Sequence, residues 1–133
     1  MSKIDRMRQG YAAYSRRDPS MADTFFTDDI SWLVPGPQGP IQGRDAVKEF
    51  FAGLSELFST HTIAVNDGLE SGDRLWCYVT HTFTRKDGSA HEVEAVHMWT
   101  AAGERFSAMH EVADTLAFGV AAGMIPAEAL VAA

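Results

Sequence analysis

The sequence predicts an α+β domain in which helices come first and a curved antiparallel or mixed sheet then wraps around the longest of them. Two observations predict it. Apolar residues recur at helical spacing as far as Phe58, and from Thr60 onward the pattern changes to β-rich runs separated by SGD, KDGS and AAG. Glycine-containing turns between such runs are hairpin signals, and helices followed by an antiparallel meander pack as separate layers. A sheet that curls around a helix makes a cone, with room for a ligand pocket inside.

Each element has its own signal. Ile4, Met7, Tyr11 and Tyr14 share one helical face, with Ser2 as N-cap and Asp18-Pro19 as a stop, so the first helix is expected over about Ser2 to Arg17. PSMADTFF opens with a proline, which a first helical turn tolerates, and fits a short second helix. ISWLV is β-rich and ends at Pro35. PGPQGPIQG has three prolines and three glycines and reads as a loop on the rim of the enclosure. From Arg44, the residues Val47, Phe50, Phe51, Leu54, Leu57 and Phe58 form the wide apolar stripe of a main core helix. The runs HTIAVNDGLE, DRLWCYVTHTFTR, AHEVEAVHMWT and ERFSAMHEVADTLAF supply four strands.

The 133 residues hold no repeat, linker or charge block, which predicts a single domain over residues 1–133. No apolar run reaches the roughly 20 residues of a membrane span, and the polar start MSKIDRMRQG enters a helix directly, so a cytoplasmic protein is expected. The balance of 11 basic against 18 acidic residues gives a charge of −7, which speaks against nucleic acid and anionic membranes as partners. Cys77 stands alone inside LWCYV and reads as a small buried hydrophobe. No Gly-rich phosphate fingerprint or flavin motif is present, so no cofactor is expected. The five histidines lack paired spacing on one face, and no metal is expected either.

Period-two parity sorts the strands into faces. In DRLWCYVTHTFTR, Trp76, Tyr78, Thr80 and Thr82 share one side, assigned to the pocket, and Leu75, Cys77, Val79, His81 and Phe83 share the other. Both sides are largely apolar. Something must cover the outer one, and a homodimer packed through the sheet face is expected.

A helical N-terminus, DDISWLVPG, a Gly/Pro loop, GRDAVKEFFAGL and a closing GERFSAMHEVADTL together resemble the SnoaL-like branch of the nuclear transport factor 2-like superfamily, which also holds ketosteroid isomerase, limonene epoxide hydrolase and scytalone dehydratase. The resemblance runs from about Met7 to Phe118. It implies one SnoaL-like domain with a cystatin-like roll, whose pocket lies between the concave sheet and the helices. In the polyketide cyclases of this branch a histidine on the penultimate strand and a carboxylate on the last form the site. Those places fall on His97 and Glu111, with Glu where the cyclases carry Asp. The Arg-x-Asp pair of limonene epoxide hydrolase is replaced here by Tyr78-Val79-Thr80, and the aspartates of ketosteroid isomerase are missing.

Paired across the AAG turn, His97 and Glu111 come within direct or water-bridged reach of each other. Burial raises a carboxyl pKa and an adjacent imidazolium lowers it, which can poise a proton-transfer group. The same pair also serves as a plain buried hydrogen bond. Tyr14, Trp32, Tyr78, Thr80, Trp99 and Met109 are the expected substrate-binding wall, with Tyr14 and Tyr78 as donors to a ligand oxygen. Glu92, Glu94, His81 and His110 are assigned to the outer face. Asp114 is expected to cap the end of the last strand, and the Ala-rich tail FGVAAGMIPAEALVAA to fold over the pocket mouth, to pack on a neighbouring subunit or to fray. The leading function is proton transfer on a small hydrophobic cyclic or carbonyl compound. A non-catalytic binding protein for such a molecule, and an association module with a filled pocket, are the alternatives.

Overall fold

The computed structural model describes residues 1–130 and contains helices α1 (Lys3–Ser15), α2 (Met21–Phe25), α3 (Arg44–Leu57) and α4 (Thr115–Ala121). Its strands are β1 (Phe26–Leu33), β2 (Ile41–Gln42), β3 (Thr60–Ser71), β4 (Arg74–Thr84), β5 (Ala90–Ala102) and β6 (Arg105–Ala113), and a 3₁₀ turn follows at Ala127–Leu130. All six strands form one sheet in the order β2-β1-β6-β5-β4-β3. The β1–β6 pair is parallel and every other pair antiparallel, so the sheet is mixed. Register shifts in β1, in β3 at Val65/Asp67 and in β6 at Ser107, opposite Thr100/Ala101, add local twist and help the sheet curl.

Ser2 caps α1 by accepting from the Asp5 amide, and Met7, Gly10, Tyr11 and Ala13 are the buried face of that helix. The helix stops where Arg17 adopts the left-handed conformation (φ 57°), which is unfavourable for a residue with a side chain. Two hydrogen bonds offset this: Arg17 Nη2 donates to the carbonyls of Phe58 (2.9 Å) and Ser59 (2.7 Å) and ties the end of α1 to the end of α3. Arg44, at the start of α3, donates to the Phe26 carbonyl (3.0 Å) and pairs with Asp23 and Asp28.

Several expectations need correction. Ile41-Gln42, expected to be loop, pairs antiparallel with Ser31 and Trp32 as a two-residue edge strand. The last strand is shorter than expected: it ends at Ala113, and Asp114 caps α4 by accepting from the Ala117 amide, so it caps a helix and not the strand end. In α3 only Val47 is fully buried, while Leu57 is exposed and Phe50, Phe51 and Leu54 are half-buried. The reason is that this face looks into a hollow.

The main core gathers Phe26, Ile30, Val47, Leu75, Cys77, Val79, Trp99 and Phe106, all buried. A smaller cluster joins Phe58, Phe83, Val93 and Ala121, with Phe118 of α4 packed 5.4 Å from Phe83. Arg85, just beyond β4, donates Nε to the Ala121 carbonyl (2.9 Å) and Nη2 to the Val120 carbonyl, satisfying the C-terminal end of α4. The first part of the apolar tail is therefore a helix over the sheet; residues 131–133 lie outside the described residues. The outer face of the sheet keeps Leu69, Trp76, Tyr78 and Val112 exposed. Among the described residues no helix is long and apolar enough to cross a membrane.

Truncating a fully buried core residue costs transfer and cavity energy together. Phe26→Ala should lower the free energy of unfolding by about 3–5 kcal/mol, whereas Met124→Ala, at an exposed site, should stay within about 0.5 kcal/mol. Urea midpoints of the two variants check this.

Candidate active site

The β5–β6 hairpin turns at Gly103 (φ 65°), a left-handed position that suits glycine, and this turn sets the register of everything that follows. His97 stands directly opposite Glu111, and Trp99 opposite Met109. His97 Nε2 lies 2.5 Å from Glu111 Oε2. His81 Nε2 lies 2.8 Å from the same oxygen, although the backbone partner of His81 is Val93. The row between them, Val79, Ala95 and Ala113, carries short side chains, and the curled sheet lets the His81 ring meet the carboxylate above it.

Each imidazole is held from behind. The Tyr11 hydroxyl is 2.7 Å from His97 Nδ1, and Trp99 Nε1 donates to the Tyr11 oxygen at 2.9 Å. On the other side His61 Nε2 is 2.7 Å from His81 Nδ1, and the Tyr14 hydroxyl is 2.7 Å from His61 Nδ1. Donor chemistry assigns the His97 arm. An ionised Glu111 can only accept, so a neutral His97 carries its hydrogen on Nε2 and gives it to the carboxylate, which leaves Nδ1 to accept from the Tyr11 hydroxyl while the indole N–H donates to the Tyr11 oxygen.

Electrostatics agree with an ionised Glu111. Burial alone would raise its pKa, but the hydrogen bonds from His81 and His97 override that and hold it well below the usual carboxylate range. Burial holds His97 below 6.5, helped by the neighbouring His81, although Glu111 pulls the other way. His61 is pushed down to about 2, by burial first and His81 second. Burial raises the Tyr11 and Tyr14 phenols and brings the Cys77 thiol up to about 11.

The carboxylate faces a cavity of about 200 Å³ whose wall is overwhelmingly apolar, including Phe26, Trp32, Phe50, Phe51, Phe83 and Trp99. Thr115 and Phe118 of α4 and Pro35 and Gln38 of the Gly/Pro loop also border it. Glu111 Oε1 has no hydrogen bond among the described residues, yet the one buried side-chain polar atom without a partner is Trp32 Nε1. Oε1 is therefore accessible from the cavity.

Of the residues singled out from sequence, the structure brings His97, Glu111, Tyr14, Trp32 and Trp99 to this cavity. Met109 is buried beside Trp99 but does not line it. Tyr78 and Thr80 are on the opposite face, Tyr78 exposed and Thr80 accepting from Asn66 at 2.8 Å, so they cannot form the wall. The inner side of β4 is instead Leu75, Cys77, Val79, His81 and Phe83. Because opposed residues share a face, the pairing of Cys77 with His97 dictates this. Counting back from the KDGS turn, which pairs Thr84 with Ala90, was the signal that reveals it. His81, Tyr11, His61 and Phe83 were missed for the same reason or because a helical tyrosine is not distinctive. Glu92, Glu94 and His110 are exposed.

The expectation that the histidines form no ligand set fails in its premise: His81, His97 and Glu111 offer three ligand-type atoms within 4.8 Å of one another. A metal would need the Nε2 lone pairs. As the structure stands, both Nε2 atoms are within hydrogen-bond reach of one Glu111 oxygen, the arrangement of two N–H donors on an ionised carboxylate, and a metal would have to displace both hydrogens.

The chain belongs to the SnoaL-like domain family, which it matches over residues 7–109. No curated protein matches it in sequence. Among solved structures it is similar to TerC co-crystallized with polyporic acid, at 25% identity and TM-score 0.81 over 90% of this chain and 97% of that one. IdmH of Streptomyces antibioticus, a candidate polyketide cyclase, shares the fold at 16% identity and TM-score 0.81, over 92% of this chain and 99% of that one. A protein of ketosteroid isomerase-like fold from Catenulispora acidiphila, in complex with trimethylamine, does so at 13% identity and TM-score 0.81, over 93% of this chain and 96% of that one.

The lowered pKa values make stability depend on pH. His61 and His97 are neutral when folded but take up a proton near 6.5 when unfolded, so their contribution is complete above that pH and is lost below it. Glu111, also depressed, adds a further loss only when the unfolded carboxyl begins to protonate, near its ordinary 4.5. Unfolding free energy should be flat above neutrality and then fall with a slope approaching about 1.4 kcal/mol per pH unit for His61, one proton's worth, with His97 steepening it further. Urea titrations from pH about 7.5 to about 5 read it; a flat profile would mean both rings are charged in the fold.

Proposed function

We propose that the protein is a small-molecule enzyme in which Glu111 removes a proton from an apolar cyclic or carbonyl compound and returns it, an isomerase- or cyclase-type role. The observation that carries this is an ionised carboxylate on the wall of an apolar cavity, with one oxygen held by two imidazoles and the other open to a ligand. A carboxylate so placed is kept charged at neutral pH, so it stands in the form that can accept a proton from a ligand in the cavity. His97 and His81 fix its orientation. Trp32 lines the cavity and holds an unspent N–H, a donor for an acceptor oxygen on the ligand.

Size sets the substrate class. An apolar cavity of about 150 Å³ takes a benzene ring, so the 200 Å³ here suits a molecule of one or two rings. The family and its fold relative TerC, crystallised with polyporic acid, support a ligand of cyclic type.

Hydrogen–deuterium exchange at the carbon next to the carbonyl of β-tetralone, followed by NMR, tests the reading. Glu111→Gln should lower the exchange rate by about 10²–10⁴-fold while the ketone still binds. Full activity in the Gln variant would sink the base assignment. Binding of the ketone with no exchange even in the unaltered protein would favour the binding-protein reading.

The protein is further proposed to pair with a second copy through the outer sheet face, where Leu69, Trp76, Tyr78 and Val112 remain exposed. Sedimentation at micromolar concentration should show a dimer, and Trp76→Glu a monomer; a monomeric unaltered protein would overturn it.

A further inference from the structure

We propose that His81, His61 and Tyr14 form a proton relay joining Glu111 to the cleft at the C-terminal end of α1. This rests on the reading of Glu111 as the group that gains and loses the proton. The two arms of hydrogen bonds meeting at Glu111 differ at their far ends. The His97 arm ends on Trp99 Nε1–H, which donates and never accepts, so its direction is locked. The His81 arm ends on the Tyr14 hydroxyl, which can do either. Only this arm can reverse.

Its geometry suits transfer. The steps from Tyr14 to His61, His61 to His81 and His81 to Glu111 measure 2.7, 2.7 and 2.8 Å. The His61 ring stacks on Phe83 (4.0 Å, 19°) and lies edge to edge with His81, nearly coplanar (5.0 Å, 24°), so both imidazoles are held in line. Tyr14 and His61, which line the apolar cavity, also border an adjoining cleft of about 250 Å³ lined by Arg17, Asp18 and Lys48, so the far end of the arm reaches a polar opening.

The transfer balances as follows. An acid in the cleft gives a proton to the Tyr14 oxygen while the Tyr14 hydrogen passes to His61 Nδ1, the His61 Nε2 hydrogen to His81 Nδ1, and the His81 Nε2 hydrogen to Glu111 Oε2. Glu111 becomes a neutral acid, both imidazoles stay neutral with their tautomers exchanged, and the reverse sequence exports a proton. Arg17 is the cation beside Tyr14. Burial disfavours both a charged His61 and a Tyr14 phenolate, so the hydrogens shift together and not by way of a charged ring.

Imidazole NMR of the isotope-labelled, ligand-free protein tests this without a substrate. His97 should show a single Nε2–H tautomer. With Glu111 ionised, His61 and His81 should also rest as Nε2–H tautomers, but their ring hydrogens should exchange with solvent far faster than that of His97. Tyr14→Phe keeps the ring and removes the reversible end, so it should slow that exchange toward the His97 rate while leaving the His97 signals unmoved; His61→Gln, which cuts the chain in the middle, should slow the exchange of the His81 ring hydrogen. Ring hydrogens of His61 and His81 that exchange no faster than that of His97, or fast exchange that persists unchanged in Tyr14→Phe, would overturn the relay. An active Glu111→Gln enzyme would instead remove the functional reading and leave this exchange pattern standing.

Discussion

A carboxylate in an apolar interior is tolerable only when something replaces its water, and for Glu111 two imidazole N–H groups do so. The demand propagates outward. His97 must lie opposite Glu111, which requires the β5–β6 register, and His81 must lean across a row of short side chains, which requires a curled sheet. The far nitrogens of these rings then need partners of their own. Tyr11 and Tyr14, three residues apart on one side of α1, supply them, Tyr11 directly and Tyr14 through His61. Helix and sheet are therefore joined by a polar seam inside an apolar body, and losing one member exposes its neighbour to an unmet hydrogen bond.

The hollow itself is costly. At the roughly 24 cal/mol per Å³ found for cavities left in protein cores, 200 Å³ of unfilled space amounts to a penalty on the order of 5 kcal/mol. Small domains have a net stability of only about 5–15 kcal/mol. The half-buried Phe50, Phe51 and Leu54 show where that penalty is borne: α3 lends apolar side chains to a space they do not fill. The compensation is the packed core that adjoins the hollow, where Phe26 and Trp99, themselves part of its wall, pack against each other and Trp99 against Phe106.

Most of the element order was legible from periodicity, because helical and alternating patterns change once, near Thr60. The pairing of His97 with Glu111 was legible too, since a short turn leaves one register that puts Trp99 and Met109 inside together. What misled the reading of β4 was composition. Trp76 and Tyr78 look like pocket walls, and His81 looks out of place among Leu75, Cys77 and Val79, but hydrogen-bonded pairing and not residue type decides the face. Alternation alone cannot choose between two apolar faces. Nor can it see α4, where Asp114 ends a strand and starts a helix within one residue, or β2, which exists only because Ile41 finds Trp32 across a loop of prolines.

Arg85 gives the cavity a mechanical character. The helix that carries Phe118 over the cavity is fastened at its C-terminal end by the Arg85 guanidinium, which belongs to the β4–β5 hairpin, and at its N-terminal end by Asp114. Cap and hairpin are thus latched to each other at a point remote from the carboxylate. The roof of the cavity is tied to the sheet through one guanidinium that does not itself line the cavity.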